Sequence, residues 1–366
     1  MKQWDFPRKL LDLTWRRLHL AGRRRGLHSL RPLGKAPSRG SARPSAILVL
    51  QAAENATVDY YLRNRLAKGD IAWRVVNLSQ KPDTVDVWSQ DGVLVVICRY
   101  INAEWLRAVE RRRKHLHDVV FFVDDDLPAM MADRSLPWRA RGKVAVGYGR
   151  FLDRLERLVG QVWVSTPALA ARFTEAARIL PPAPCDLPAP PTEEDAALVV
   201  YHGTDVHGPE RRFAVEIARA LSGRPDIRFE ISGDRALAKD CADLPMVSIL
   251  PQVDWPTYRA GQAARSATVF LAPLGPGLAN AARAPVKVFD AARLGACGIF
   301  ADAPAYRDAV RHEVDGLLLP MSVLDWSRAV EALIDDPQRR VRLVNSARAK
   351  VERQALELEP LIGEAT

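Results

Sequence analysis

Residues 268–301 read T-V-F-L-A-P-L-G-P-G-L-A-N-A-A-R-A-P-V-K-V-F-D-A-A-R-L-G-A-C-G-I-F-A. The pattern predicts a buried strand over Thr268–Ala272, a loop carrying Gly275 and Gly277, a short helix, and a second apolar strand over Cys297–Ala301. Pro285 suits the first helical position, where a missing N–H costs nothing, and Gly295 suits a left-handed stop. Between them Lys287 and Asp290 lie three apart, on one helix face, with Asn280 and Arg283 just ahead of the helix. A glycine loop, cations and a helix N-terminus together make an anion site, and Asp290 beside it could take a hydroxyl-bearing group such as a ribose. The same spacing also fits an ordinary β–α–β unit with a surface Lys–Asp pair.

The flanking sequence repeats this strand–helix alternation. Upstream, strands are expected at Leu198–His202, Ile227–Ile231 and Met246–Leu250, with helices over about Glu210–Leu221 and Pro256–Arg265. Downstream come a short element at Ala305–Val310, a strand at Leu317–Leu319 and two helices from Val323 to about Leu356. Residues 181–195 carry six prolines in their first eleven positions, which neither a helix nor a central strand accepts, so they read as a linker. Before the linker, strands are expected at Ala46–Leu50, Trp73–Leu78, Val93–Cys98, Val119–Val123 and Val162–Ser165. Helices are expected over Ala56–Lys68, Asn102–Arg113, about Tyr148–Val159, and from Thr166-Pro167 to about Ala177.

Strands that are apolar throughout, alternating with helices, predict parallel sheets covered on both faces. The fold class is therefore α/β with two doubly wound, Rossmann-like domains, residues 45–180 and 196–345. A tail (1–44), the linker (181–195) and a C-terminal helix and tail (346–366) complete the chain. Two such domains leave a cleft between the carboxyl ends of two sheets, where open α/β sheets bind ligands.

Bulk properties narrow the function classes. The chain has 366 residues, 48% hydrophobic and 27% charged, and no apolar run near the ~20 residues of a membrane span. No signal peptide is recognisable, and the four scattered cysteines (Cys98, Cys185, Cys241, Cys297) show no metal-ligand spacing, which fits reduced thiols in the cytoplasm. The net charge of +9 is a property of the tail: residues 1–44 hold twelve Lys/Arg against Asp5 and Asp12, a net +10, so the other 322 residues sum to −1. Within the tail, Leu11, Trp15 and Leu18 fall at i, i+4, i+7 among Arg8, Lys9, Arg16 and Arg17. That suits the inner face of an anionic membrane, with an unliganded basic extension and a nucleic-acid contact as the other readings. For the body no nucleic-acid partner is expected.

Several clusters could carry chemistry. Asp124-Asp125-Asp126 falls at a strand's carboxyl end, where three successive carboxylates repel one another. They fit acceptor binding or proton handling, a metal-bound nucleotide, or a plain helix cap before Pro128. With no second carboxylate or His cluster, no metal site is expected. Y-H-G-T-D-V-H at 201–207 places Gly203 and Thr204 at a strand-to-helix turn, with His207 and Arg211 able to face a phosphate and His202 as readily structural. I-S-G-D at 231–234 puts Gly233 at a strand end, and Asp254-Trp255 offers an acid and an aromatic edge after the next strand. No hydrolase elbow, H-E-x-x-H, Walker loop or dinucleotide glycine pattern is present.

Taken in order, Y-H-G-T-D-V-H, I-R-F-E-I-S-G-D, V-S-I-L-P-Q-V-D-W-P-T-Y, V-F-L-A-P-L, N-A-A-R-A-P-V-K-V-F-D-A-A-R-L-G and A-P-A-Y-R-D-A-V-R-H-E-V-D-G-L-L-L-P span about Leu198 to Pro320. This series resembles the nucleotide-sugar-binding domain of retaining GT-B-fold glycosyltransferases, a group with many bacterial envelope-polysaccharide enzymes. V-V-F-F-V-D-D-D-L-P and V-W-V-S-T-P-A-L-A in the first domain look like pieces of the same group. The resemblance implies transfer of a sugar from a nucleotide diphosphate to a glycan or lipid-linked acceptor, without a metal or other cofactor. Lys287 is similar to the lysine that neutralises the donor diphosphate, and Asp290 stands where the family has a ribose-binding glutamate. Asn280 and Arg283 match polar and basic positions of the same loop. Gly203, Thr204, His207, Gly233 and Asp254 would complete the donor side, and Asp124, Asp125 and Asp126 would orient the acceptor. The family often carries a second glutamate eight positions before the first, and here that position is Ala282. A scaffold that has lost chemistry and a sugar-nucleotide epimerase remain as other readings.

Overall fold

Val, Ile and Leu fill the central strands because both faces are covered there: every residue of β1 (Ala46–Gln51), β3 (Val93–Cys98) and β4 (Asp118–Val123) is buried in the computed structural model. The structure describes residues 43–134, 136–173, 177–183, 187, 197–204, 207–263 and 265–363. The amphipathic stretch around Leu11, Trp15 and Leu18, Cys185 and most of the proline linker therefore lie outside the described residues.

The chain divides into two units, one running to Pro181 and resuming at Glu359, the other spanning Pro182–Leu358. The C-terminal segment is thus split, its helix belonging to the second unit and its last residues to the first. Leu361 is the anchor of that return: it is buried, its N–H donates to the Arg65 carbonyl and its own carbonyl accepts from Arg178.

In the first unit six parallel strands lie in the order β2-β1-β3-β4-β5-β6, with β2 Trp73–Asn77, β5 Gln161–Val164 and β6 Arg178–Ile179. The second sheet has the order β12-β11-β10-β7-β8-β9. Its strands are β7 Ala197–Tyr201, β8 Ile227–Gly233, β9 Val247–Pro251, β10 Val269–Ala272, β11 Cys297–Ala301 and β12 Leu317–Leu319. Both orders are doubly wound, and each reverses direction at one place, between β1 and β3 and between β7 and β10. Ligand crevices of open α/β sheets form outside the strand ends at such points.

The helices expected over Ala56–Lys68 and 148–159 are both interrupted. The first runs as α1 (Ala56–Val58), a π turn (Asp59–Arg63) and α2 (Asn64–Lys68), with Thr57, Asp59, Tyr60 and Tyr61 all buried along it. A π turn inserts one extra residue and re-aims the side chains beyond it. The second runs as a 3₁₀ turn at Gly149–Phe151 and α6 (Leu152–Leu158), after α3 (Ala103–Arg112), α4 (Leu127–Ala132) and α5 (Trp138–Gly147). A Cβ at Gly147, the last residue of α5, would stand 2.9 Å from the Tyr100 ring, so the glycine allows this close approach. The helix begun by Thr166-Pro167 is α7 (Pro167–Phe173).

In the second unit α8 (Gly208–Ala220), α9 (Arg235–Asp240) and α10 (Trp255–Ala263) precede β10. A four-residue helix, α11 (Leu278–Ala281), sits inside the glycine loop, and α12 (Lys287–Arg293) follows. Pro285 therefore stands two residues ahead of the helix it was expected to begin. Its carbonyl accepts from Val288 N at 3.1 Å, a tight opening turn that leads into α12. Gly295 does take the left-handed conformation, with φ 61°. The chain closes with α13 (Pro304–Arg307), α14 (Val323–Asp335) and α15 (Pro337–Leu356). Trp326 of α14 is fully buried and its indole N–H donates to the Pro320 carbonyl.

Candidate functional site

In the second unit, the side chains singled out in the sequence converge where β7 and β10 end. Lys287, first residue of α12, donates from Nζ to the His202 carbonyl at 2.6 Å and lies 3.3 Å from Asp290 Oδ2. The three-residue spacing thus yields the contact it predicts. Asp290 is buried, and Arg293 of the same helix approaches its other oxygen at 3.7 Å. Its carboxylate is held by cations of its own helix.

The glycine loop is held by a residue that the sequence offered only as a helix start. Glu210, in the first turn of α8, is buried; its Oε1 accepts from Gly275 N at 3.1 Å and from Asn280 Nδ2 at 3.0 Å. Asn280 also donates to the Gly275 carbonyl at 3.0 Å, which closes the loop into a ring. Gly277 within that ring has φ 155°, a backbone conformation that favours glycine. Gly203 owes its identity to packing: a Cβ there would fall 2.5 Å from the Tyr201 hydroxyl. The Thr204 carbonyl receives His207 N and the Arg211 guanidinium, at 3.0 and 3.3 Å.

His207 reports the electrostatics of this corner. Burial, then the charges of Arg283, Lys287 and Arg211, hold its imidazole well below the usual 6.5. The charges of three cations thus reach His207 at the N-terminus of α8, a thirteen-residue helix, where Glu210 Oε2 also lies 3.9 Å from Nδ1. Arg211, Arg283 and Lys287 outnumber the buried carboxylates Glu210 and Asp290, so the net side-chain charge adds to the helix dipole with the same sign, which favours a polyanion.

Two expected donor residues are explained by the fold itself. A Cβ at Gly233 would meet Leu237 Cδ2 at 2.5 Å and Ile249 Cγ2 at 2.9 Å. Asp254 is exposed and caps α10, accepting from Thr257 N at 3.1 Å. Neither is drawn toward Lys287 by any contact.

The first unit gathers a second cluster at its own reversal point. Arg99, just past β3, has φ 62°, a left-handed conformation unusual outside glycine. It lies 3.1 Å from Asp125 and 3.4 Å from Asp124, and so offsets the repulsion that the three aspartates create. Thr57, beyond β1, donates to Asp124 at 2.7 Å, and Ser165, beyond β5, donates to the Asp124 carbonyl at 3.1 Å. Burial pushes the Asp124 carboxyl up, Arg99 opposing and Asp125 adding. Asp126 is separate in role: it caps α4 by accepting from Ala129 N at 2.9 Å and pairs with Arg172 at 3.3 Å. The helix-cap reading thus holds for Asp126, while Asp124 and Asp125 face Arg99. No sequence pattern announces Arg99, because a non-glycine left-handed residue carries no signature.

Among the described residues no group of three or more His, Cys, Asp or Glu is placed to hold a metal ion. No helix among them is long and apolar enough to cross a membrane.

Comparison with solved structures places the architecture. No protein-family model and no curated protein sequence matches the chain. The structure of Anabaena HepE with UDP and glucose is similar over 86% of this chain and 96% of its own, with TM-score 0.55 and 13% identity. Sucrose-phosphate synthase from Thermosynechococcus elongatus is similar over 86% and 97%, with TM-score 0.55 and 14% identity. TarM is similar over 73% of this chain and 54% of its own, with TM-score 0.52 and 11% identity. The chain has the GT-B fold. A GT-B chain carries two such doubly wound units, and here each brings polar side chains together at its reversal point.

Proposed function

We propose that this protein is a glycosyltransferase that takes its sugar from a nucleotide diphosphate donor bound at the β7/β10 reversal point. The observation that carries this reading is Lys287 and Arg211 fixed on the His202 and Thr204 carbonyls beside the α8 N-terminus, with Arg283 adding its charge at His207. That a similarly folded protein is seen with UDP and glucose, and another is a sucrose-phosphate synthase, supports the donor class.

The chemistry follows from charge. The bond between the anomeric carbon and the β-phosphate oxygen breaks, and its electron pair leaves with the diphosphate. Cations and a helix terminus fixed in advance stabilise that developing charge more than they stabilise the bound donor. In this reading Lys287 and Arg283 meet the diphosphate, Asn280 and the Gly275 loop line its approach, and Asp290 orients Lys287. Asp124 and Asp125, with Thr57 and Arg99, orient a hydroxyl-bearing acceptor, glycan or lipid-linked. Retention at the anomeric carbon, with the leaving phosphate accepting the acceptor's proton, suits a site whose charges are supplied by side chains. No metal or cofactor is required by this scheme, so a chelator should leave the rate unchanged.

The test is a panel of nucleotide sugars with and without acceptor. Nucleotide release that depends on acceptor is expected. Interconversion of the donor without acceptor would make the protein an epimerase, and no binding or turnover of any member would leave a scaffold. We also propose that residues 1–44 hold the protein at an anionic membrane surface in the cytoplasm, in the synthesis of surface polysaccharide. The full chain should pellet with phosphatidylserine-containing vesicles and a chain lacking residues 1–44 should not; equal pelleting removes that role.

A further inference from the structure

Lys287 and Asp290 close a ring of polar side chains whose other members, His202, Tyr258, Gln262 and Arg293, the donor reading does not use. Beginning at Lys287 Nζ, the ring passes to the His202 carbonyl at 2.6 Å and, through His202 itself, from Nδ1 to the Tyr258 hydroxyl at 3.1 Å. It continues from Tyr258 to Gln262 Nε2 at 2.6 Å, from Gln262 Oε1 to Arg293 at 2.7 Å, and from Arg293 to Asp290 at 3.7 Å. Asp290 returns to Lys287 at 3.3 Å. A branch leaves His202 Nε2 for Glu230 at 3.0 Å, and Arg265 meets the other Glu230 oxygen at 2.5 Å. Gln262, Asp290, Arg293 and His202 are all buried, so water does not substitute for a lost partner.

The donors and acceptors in this ring have one direction. Arg293 can only donate, so Gln262 must present its carbonyl oxygen to it and its amide N–H to Tyr258. The Tyr258 oxygen is then an acceptor, and its own hydrogen is available to His202 Nδ1. Burial holds the Tyr258 hydroxyl protonated, far above its usual range. At the other nitrogen, burial alone would raise Glu230, yet hydrogen bonds and charge from His202 and Arg265 hold it below the usual carboxylate range. An ionised Glu230 only accepts, so Nε2 carries the ring proton. The Glu230 end thus requires Nε2–H and the Tyr258 end fits it, and the residue so held is the one whose carbonyl seats Lys287.

We infer that Tyr258 and Gln262 are positioning residues for Lys287, acting from α10 by holding the His202 ring through a hydrogen bond to Nδ1 while Glu230 keeps Nε2 protonated. This rests on the donor role of Lys287 proposed above. It also accounts for a polar i, i+4 pair on the inner side of α10, where packing alone would favour apolar side chains. Neither residue touches the donor; each sets the strand end that holds the lysine.

The test uses the full-length protein with ¹⁵N-labelled histidine, His202 being assigned through His202→Gln. The unmutated protein should show a protonated Nε2 and a hydrogen-bonded, unprotonated Nδ1. Gln262→Glu keeps the shape but reverses the polarity. A carboxylate there accepts from both Arg293 and Tyr258, so Tyr258 must now accept from Nδ1–H, and His202 should carry protons on both nitrogens at pH 7. Turnover should fall on the order of 10- to 100-fold, with donor KM less changed, as expected for a displaced charge. Tyr258→Phe should instead keep the single Nε2 proton, lose the Nδ1 hydrogen bond and lower turnover by a similar factor; it serves if Gln262→Glu fails to fold. An Nδ1–H tautomer in the unmutated protein, or an unchanged imidazole in Gln262→Glu, overturns the inference, as does a switched imidazole with full turnover. Absence of transfer by the unmutated protein overturns the donor reading instead, and the imidazole signals still judge the relay.

Discussion

Lys287 and His207 are the residues on which the account turns, and they were legible to different degrees. The pairing of Lys287 with Asp290 follows from a spacing of three, a local fact that any helix would express. The His202 carbonyl that holds Lys287 is 85 residues away in sequence, and no local pattern encodes it. Gly233 and Asp254 also have local roles: sterics favour the glycine, and Asp254 caps α10. For His207 the environment makes a testable statement about pH. Its folded pKa is depressed, so between that value and 6.5 the unfolded chain binds more protons than the folded one. The stability it contributes is complete above 6.5 and is lost as pH falls below it. Chemical denaturation from pH 8 to pH 5 should show this slope, and His207→Gln should flatten it; an identical slope in the variant would show that the imidazole is not held neutral.

At the scale of elements, the glycine loop and α12 show why boundaries and buried partners were harder to read than the elements themselves. The strands were read nearly to the residue, because a strand buried on both faces is apolar without interruption. Pro285, chosen for its fixed φ, instead sits in the tight turn that delivers the chain to Lys287. Glu210 was hidden because an acid in a helix's first turn reads as a favourable dipole partner, whatever else it does. Its partners come from 65 and 70 residues away. Glu210→Ala leaves Gly275 N–H and the Asn280 amide without their shared acceptor, a loss of about 1–3 kcal/mol by the usual cost of an unsatisfied buried donor. Nucleotide affinity should fall as well, since the loop loses its ring. Glu210→Gln keeps the accepting oxygen and should restore most of both, as read by denaturation and calorimetry. If Ala and Gln variants bind nucleotide alike, the carboxylate does not shape the loop.

For the whole molecule, strand alternation and the proline-rich linker were enough to expect two doubly wound units, and both sheets have that order. What composition alone would have misjudged is the charge. The +9 total belongs to residues 1–44, while the site in the second unit owes its field to three cations whose charges reach one histidine. Ala282 is buried at the position where the GT-B glycosyltransferases that the sequence resembles often carry a glutamate, so the cations carry the donor site without that acid. The direct measurement is acceptor-dependent release of nucleotide from the preferred donor by the unmutated protein and by Lys287→Ala, with folding checked by circular dichroism. Turnover is expected in the first and a loss of about 10²–10³-fold in the second, the scale of one preorganised donor to a developing oxyanion. Equal rates in the two, with both folded, would contradict it.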